Sequence, residues 1–314
     1  MINTRRSNRF GWKKFALVGL LVTGLTIVGK IGDTKPISSA PERLQSADGA
    51  TLDKISLAPD KIVYLQTIDL KKMQIDQLVG EVERQGTKGL YYPSTKDDSS
   101  PYFKRLTVAA ARTAYQQQHP TGIFSIVNAS FFEEYQSSTR LSFPIKVNGA
   151  LITGGSSPYG PIPKPKHPYY KNIRLKALTW DNEKATISDY NPATGSPLNQ
   201  PNVKNGLVSY GYQDHPVYAL YNDAVNLYHV IGVLNTKTTN RLLIATTNRT
   251  TLKGAAEVLR KQGVTGDIMT TDGGISTYLW SSKNGDLILP QVAKGETVPS
   301  LPHYLAFRAK NNRL

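Results

Sequence analysis

The stretch Asp267-Ile268-Met269-Thr270-Thr271-Asp272-Gly273-Gly274-Ile275-Ser276-Thr277 puts a carboxylate and two glycines where an apolar strand ends. Reading back from it, Thr251 to Gln262 (TLKGAAEVLRKQ) carries Leu252, Ala255, Ala256 and Leu259 at helical spacing on one face. Gly263 then supplies a helix stop. The predicted order is helix, short turn, strand, Asp-Gly-Gly loop. Such a loop can turn backbone N–H groups toward an anion and let a substrate approach the main chain, because glycine lacks Cβ and reaches positive φ. Asp272 stands at its mouth. The same triplet also reads as a tight turn in which the Asp caps the following N–H groups.

The arrangement recurs upstream. Thr107 to Gln118 (TVAAARTAYQQQ) reads as a helix stopped by His119-Pro120, and Ile123 to Val127 reads as a buried strand that delivers Asn128. Two polar residues emerging from strand ends suggest a shared cleft. Alternating apolar residues predict a strand over Lys61 to Leu70 and another over Ser142 to Val147. The latter is followed by an Asn148-Gly149 hairpin turn. Further strands are predicted at Leu175 to Trp180, Lys184 to Ile187, Gly206 to Ser209, Val217 to Leu220, Val225 to Val233 and Arg241 to Thr246. With few helices, this is an α+β protein on mixed or antiparallel sheet. From Gly154 to Pro168 the chain becomes a stiff basic loop rich in proline, readable as a flap over an anionic substrate or as a surface excursion.

Several segments carry a family resemblance in chain order. They are Val127-Asn128-Ala129-Ser130-Phe131-Phe132, Lys146-Val147-Asn148-Gly149, Asn205-Gly206-Leu207-Val208-Ser209-Tyr210-Gly211, Ile231-Gly232-Val233, and the helix leading into Asp272. Together they resemble the phosphodiester glycosidase family over roughly Lys61 to Arg308. The resemblance implies hydrolysis of a sugar joined through its anomeric carbon to a phosphodiester. Three positions depart from the family pattern. Ala129-Ser130 stands where Gly-Gly is common, Ile275 where a third glycine is common, and Tyr228-His229 where Arg-Thr usually precedes Ile-Gly.

Composition narrows the partners. No cysteine is present, which excludes disulfides, thiol nucleophiles and thiolate metal sites. At the N-terminus Arg5, Arg6, Arg9, Lys13 and Lys14 precede the uncharged run Phe15 to Gly29. Fifteen helical residues span about 22 Å against a hydrocarbon core of about 30 Å, between a signal sequence and a short anchor. Pro41 after Ser38-Ser39-Ala40 disfavours cleavage, so residues 15–31 are expected to anchor the chain, with 1–14 cytoplasmic, 32–60 a stalk, and 61–314 an extracytoplasmic domain. The alternative is secretion after cleavage. The net charge is +15. Six of the 38 Lys and Arg fall in residues 1–30, which hold no acid, leaving 32 bases against 23 acids, a net +9. That charge suits a phosphorylated glycan or an anionic membrane surface, while an outward-facing domain would seldom meet nucleic acid. The chain lacks G-x-G-x-x-G, P-loop, H-E-x-x-H and G-x-S-x-G motifs, which disfavours dinucleotide, nucleoside triphosphate, zinc-protease and serine-hydrolase chemistry.

Candidate roles follow from residue type. A phosphate is a good leaving group, so one carboxylate with N–H or cationic donors can serve. Asp272 is that carboxylate, as base or nucleophile. Gly273 and Gly274 would offer backbone N–H groups, Ser276 and Thr277 hydroxyls, and Asn128 an amide for sugar hydroxyls or for fixing the loop. Glu133 or Glu134 could add a second carboxylate. Arg140, Lys146 and Arg249 are candidate phosphate ligands, and His229 is either a ligand or a histidine packed in a strand. A divalent cation bridging Asp272 and phosphate is chemically reasonable, although no ligand spacing encodes one. The competing reading is a catalytically silent relative that binds or helps assemble envelope polysaccharide.

Overall fold

The computed structural model describes residues 40–84, 100–120, 122–132, 137–155, 174–283, 285, 287–291 and 298–310. The N-terminal apolar run, Glu133, Glu134 and most of the proline-rich loop fall outside them. Among the described residues no helix is long and apolar enough to cross a membrane.

The described chain is an α+β fold built on antiparallel sheet. A six-stranded sheet runs in the spatial order β1 (Glu42–Ala47), β2 (Ala50–Ala58), β3 (Lys61–Asp69), β15 (Asn240–Asn248), β14 (His229–Asn235), β16 (Ile268–Thr270). A five-stranded sheet has the order β18 (Leu287–Leu289), β17 (Leu279–Ser281), β7 (Ile123–Asn128), β19 (His303–Ala309), β4 (Met73–Val79). Another has the order β10 (Ala150–Thr153), β9 (Ile145–Val147), β13 (Asn205–Tyr210), β11 (Leu175–Trp180), β12 (Ala185–Asp189). The short strands β5 (Val82–Arg84), β6 (Tyr102–Lys104) and β8 (Ser138–Thr139) form a small sheet.

The main apolar core draws on all three larger sheets, with Leu52, Ile68, Ile231 and Ile244 from the first, Val127, Leu305 and Phe307 from the second, and Leu178, Leu207 and Ile145 from the third. Helices cover two outer faces. Helix α1 (Val108–Gln118), capped by the Thr107 hydroxyl on Ala110 N–H, lays Val108, Ala111 and Tyr115 against Ile126, Trp280 and Tyr304. Helix α3 (Leu252–Lys261), capped by Thr251 on Gly254 N–H, lays Leu252, Ala255, Ala256 and Leu259 on Leu65, Val230, Leu243 and Ala245. Burying a leucine such as Leu252 or Leu259 contributes about 2 kcal/mol, enough to fix which face of α3 turns inward. Gly263, at φ +94°, ends the helix as its position predicts.

The Asn148-Gly149 hairpin forms between β9 and β10, both turn residues having positive φ. Three expectations are corrected. Folded structure begins at Glu42 rather than Lys61, inside the segment expected to be a stalk. Strand β2 pairs with β3 from Ala50↔Ile68 to Ala58↔Lys61, and its Leu52 side chain is buried in the core. Asp48-Gly49, with Gly49 at φ +87°, is the hairpin signal between β1 and β2 that marks this region as sheet. Residues Val217 to Leu220 are helical within α2 (Pro216–Leu220), because His215 Nδ1 caps Val217 N–H at 3.1 Å and Pro216 sits at the first helical position. Strand β14 starts at His229, not Val225. Before it the Leu227 carbonyl leaves the ladder to accept Gly274 N–H.

Candidate active site

The Asp272 loop lies where the ends of β7 and β16 meet the beginnings of β14 and β19. Thr271 N–H donates to the His229 carbonyl at 3.1 Å, and Asp272 N–H donates to the Ala129 carbonyl at 2.8 Å. Ala129 N–H in turn donates to the His303 carbonyl at 3.2 Å. Four distant segments are thus held side by side by main-chain bonds.

The loop is tight. Gly273 packs so closely on the turn before β14 that a Cβ there would stand 2.9 Å from the Leu227 carbonyl oxygen and 3.1 Å from the Tyr228 ring. Gly274 has φ +67°, and its N–H donates to that same carbonyl at 2.8 Å. The retained pair of glycines therefore answers two different needs, close approach at Gly273 and left-handed backbone at Gly274. A single turn of 3-10 helix follows over Gly274–Ser276 and leaves Ile275 67% exposed at the rim.

Asp272 is 8% exposed. Its Oδ1 accepts from Gly273 N–H at 2.9 Å, and the Ser276 hydroxyl also bonds to the carboxyl. Burial pushes its pKa up to about 8, and these two donors only moderate the rise. Burial disfavours the charged form, and no cationic side chain figures among the causes. At neutral pH the group is therefore mainly a carboxylic acid. Burial thus favours the protonated carboxyl over the carboxylate that a base or nucleophile requires. The geometry is that of the capped turn: Gly273 N–H goes to the Asp272 carboxyl and Gly274 N–H to the Leu227 carbonyl, so neither of the two N–H groups expected to face an anion is turned outward.

Asn128 comes to the loop as its place at a strand end suggests, but its side chain is committed to the protein. Nδ2–H donates to the Asp272 carbonyl at 2.9 Å, while Oδ1 accepts from Tyr278 N–H at 2.7 Å and bonds to His229 Nε2 at 2.7 Å. It fixes the loop and is not placed to meet a sugar hydroxyl. His229 is fully buried, with Nδ1 on the Thr246 hydroxyl at 2.8 Å and Nε2 also 3.1 Å from the Tyr278 carbonyl. Burial lowers its pKa to about 3, with the Tyr278 carbonyl opposing the fall. It is the histidine packed in a strand, not a ligand for an anion.

The three candidate phosphate ligands do not converge on Asp272. Lys146 spends its ammonium on the carbonyls of Leu198 at 2.8 Å and Gln200 at 2.9 Å. Arg140 is buried with its guanidinium carbon 5.4 Å from the centre of the Tyr102 ring. Lys146 holds structure elsewhere, because a cation this buried needs internal partners. Arg249 alone faces solvent near the loop, its side chain 71% exposed and 3.7 Å from Asp60. Thr277 is buried, its hydroxyl has no partner among the described residues, and its N–H donates to the Gly274 carbonyl at 3.1 Å.

Sequence reasoning missed His303 and the use made of Ser130. Ser130 Oγ lies 2.8 Å from His303 Nδ1, one residue from the Asp272–Ala129 bond. Both side chains are buried, burial lowers the His303 pKa to about 3, and His303 Nε2 has no partner among the described residues. The departure from Gly to Ser at position 130 was the available signal. A lone His in the C-terminal strand gave none. Among the described residues no group of three or more His, Asp or Glu side chains is placed to hold a metal ion.

No protein-family profile matches the sequence, and no curated protein is similar to it in sequence. Among solved structures the fold is similar to that of a hypothetical protein from Synechocystis, with a TM-score of 0.50 and 11% identity over 87% of this chain and 64% of that one. It is also similar to the catalytic domain of zebrafish N-acetylglucosamine-1-phosphodiester alpha-N-acetylglucosaminidase, auto-inhibited by its pro-peptide, with a TM-score of 0.49 and 11% identity over 89% and 86% of the two chains. A protein from Burkholderia pseudomallei described as exported matches with a TM-score of 0.45 and 12% identity over 82% and 74%. At such identities the likeness is one of fold.

Proposed function

We propose that this protein is an extracytoplasmic hydrolase of sugar-1-phosphodiesters in envelope or exported glycopolymers, held to the membrane through its N-terminal apolar segment. The observation that carries the reading is Asp272, a buried carboxyl whose pKa is pushed up to about 8, seated at the start of a Gly-Gly loop. Functional sites are where such a shift is useful, because a general acid works best with a pKa near the working pH. The positive charge before the apolar run, the order of motifs around Asn128 and Asp272, and the basic remainder of the chain support the setting and the substrate class.

In this scheme Asp272 gives its proton to the oxygen linking the anomeric carbon to phosphorus as that carbon–oxygen bond breaks. The phosphomonoester leaves with the bonding pair. Water adds to the oxocarbenium-like sugar and loses a proton, which restores the carboxylic acid. The products are free sugar and a phosphomonoester. The Asn128–His229–Thr246 chain keeps the loop in place, so these residues position Asp272 without touching substrate.

The test is release of sugar from a panel of glycosyl-1-phosphodiesters by the full chain, with Asp272→Asn beside it. Turnover that disappears in the variant is expected. Absence of turnover in the wild type, with glycopolymer binding that survives the substitution, would replace the hydrolase by a polysaccharide-binding protein. One observation favours that second reading, namely that the Lys146 ammonium is spent on internal carbonyls.

A further inference from the structure

Buried polar atoms that no described residue partners flank the Asp272 loop. Thr271 Oγ1 and Thr277 Oγ1, on either side of Asp272 in sequence, are two of them, and both side chains are buried. His303 Nε2 is a third, and the His303 carbonyl is joined to Asp272 through Ala129 by two main-chain bonds. Buried polar groups are normally satisfied, so such a set around one loop points to a bound group as its partner. Ser130 stands beside this set, since it follows the Ala129 carbonyl that takes Asp272 N–H.

The buried Ser130 hydroxyl has one partner among the described residues, His303 Nδ1 at 2.8 Å. A serine bonded to an imidazole first reads as a nucleophile with its base. That reading fails here, because Nε2 has no orienting partner and burial lowers the imidazole pKa to about 3, so the ring cannot hold the serine proton near neutral pH. The neutral ring acts through its tautomer instead. It is fixed at the start of β19 with Nε2 enclosed, so a proton on Nε2 would be a buried donor with no acceptor. The proton therefore sits on Nδ1 and is donated to Ser130 Oγ. The serine keeps its own hydrogen for another acceptor, and the hydroxyl, unlike the ring, can rotate to meet one.

We infer that Ser130 O–H donates to a non-bridging oxygen of the substrate's phosphate, with His303 as its positioning residue, so that a neutral donor and not a buried cation meets the anion. The inference rests on the reading of Asp272 as the proton donor. As the bond from the anomeric carbon to oxygen breaks, the phosphate takes the electron pair. Negative charge on its oxygens is then greatest until the Asp272 proton has crossed. A donor already in place strengthens at that moment without reorganising. The Nδ1–H···Oγ bond polarises the hydroxyl and makes it a better donor. Lys146 is spent on carbonyls elsewhere and does not fill this role. Glycine, common at position 130 in the resembled family, would supply no hydroxyl.

The experiment uses the full chain and the methyl phosphodiesters of glucose, mannose and N-acetylglucosamine 1-phosphate, with the uncharged methyl glycosides of the same sugars as controls. Binding is measured by calorimetry in Asp272→Asn protein and turnover with Asp272 intact, after thermal melts show each variant folded. Ser130→Ala is expected to weaken phosphodiester binding about fivefold and to leave glycoside binding unchanged. In turnover it should lower kcat about 100-fold and change KM by about threefold or less. His303→Leu should act like Ser130→Ala, while His303→Asn, whose Nδ2–H takes the place of Nδ1–H, should recover most of the loss. Nitrogen-15 spectra of the histidine rings should show His303 protonated at Nδ1, its signals identified by their absence in His303→Leu. A proton on Nε2, equal loss of phosphodiester and glycoside binding, no binding of either probe, or covalent labelling of Ser130 by diisopropyl fluorophosphate would overturn the assignment. Phosphodiester binding that depends on Ser130, without turnover by the wild type, would uphold Ser130 as the phosphate donor and overturn the hydrolase reading alone.

Discussion

Asn128 donates its side-chain amide to the main-chain carbonyl of Asp272 across 2.9 Å, and this bond joins the end of β7 to the loop after β16. The same side chain takes up Tyr278 N–H and His229 Nε2, so a single buried amide connects four segments of the site. Asn128→Ala would strand the buried Tyr278 N–H and Asp272 carbonyl and leave His229 Nε2 with the Tyr278 carbonyl alone. Each orphaned buried group costs about 1–3 kcal/mol, so a total loss of about 3–5 kcal/mol is expected. Urea unfolding should show a lower midpoint at an unchanged slope. A loss below about 1 kcal/mol would mean that the amide does not fix the loop.

The two glycines should respond differently to alanine. At Gly273 an added Cβ meets the Leu227 carbonyl oxygen, which is backbone and bonded to Gly274 N–H, so it cannot move aside without opening the loop. At Gly274 no atom lies within ordinary contact except Asn226 Nδ2 at 3.9 Å, and the cost is the left-handed φ alone, about 1–2 kcal/mol. Gly273→Ala is therefore expected to abolish activity, while Gly274→Ala loses modest stability and keeps a measurable rate. Equal effects in thermal melts and in turnover would contradict this division.

Much of this geometry was legible in the sequence, and the parts that were not share a cause. Helix α3 declares itself because its apolar residues repeat at helical spacing between Thr251 and Gly263, and local periodicity survives any tertiary context. Strand β2 was hidden because Asp53, Lys54 and Ser56 dilute its alternation, although Asp48-Gly49 marked the hairpin. The meeting of Asn128 and Asp272 was suggested by two strand ends, yet two of the three partners of Asn128 are main-chain atoms, which leave no residue-type signature. Lys146 and Arg140 looked like phosphate ligands because charge is visible in sequence and burial is not. His303 joins the site only through the order of strands in the sheet holding β7 and β19.

Asp272 should impose a pH limit on both rate and stability. Its folded pKa of about 8 lies above the unfolded value of about 3.9, so the folded protein holds one more proton between these values. Stability from this group is full below the lower value and is lost as pH rises toward 8. From pH 7 to 8 the wild type should lose about 1 kcal/mol by this route, and Asp272→Asn should remove the loss. Turnover should fall above about pH 8 as the acid form disappears. A wild-type rate that keeps rising from pH 7 to 9 would rule out Asp272 as the proton donor.

The buried histidines act in the opposite direction. Burial holds His229 and His303 at about 3 and His215 at about 4, against an unfolded value of about 6.5. Between these limits the unfolded chain binds protons that the folded one refuses, so stability from each histidine is complete above pH 6.5 and is lost as pH falls. Asp272 opposes one of the three in this window, leaving a net uptake of about two protons on unfolding near pH 5.5. The expected slope from these four groups is about 2–3 kcal/mol per pH unit, measured by urea unfolding at pH 5, 5.5 and 6. His229→Gln, whose amide can still donate to Asn128 Oδ1 and the Tyr278 carbonyl, should remove about one proton from the slope. A wild-type stability that is flat from pH 6.5 to 5 would mean that these imidazoles titrate in the folded protein, and the network holding the Asp272 loop would then be open to water.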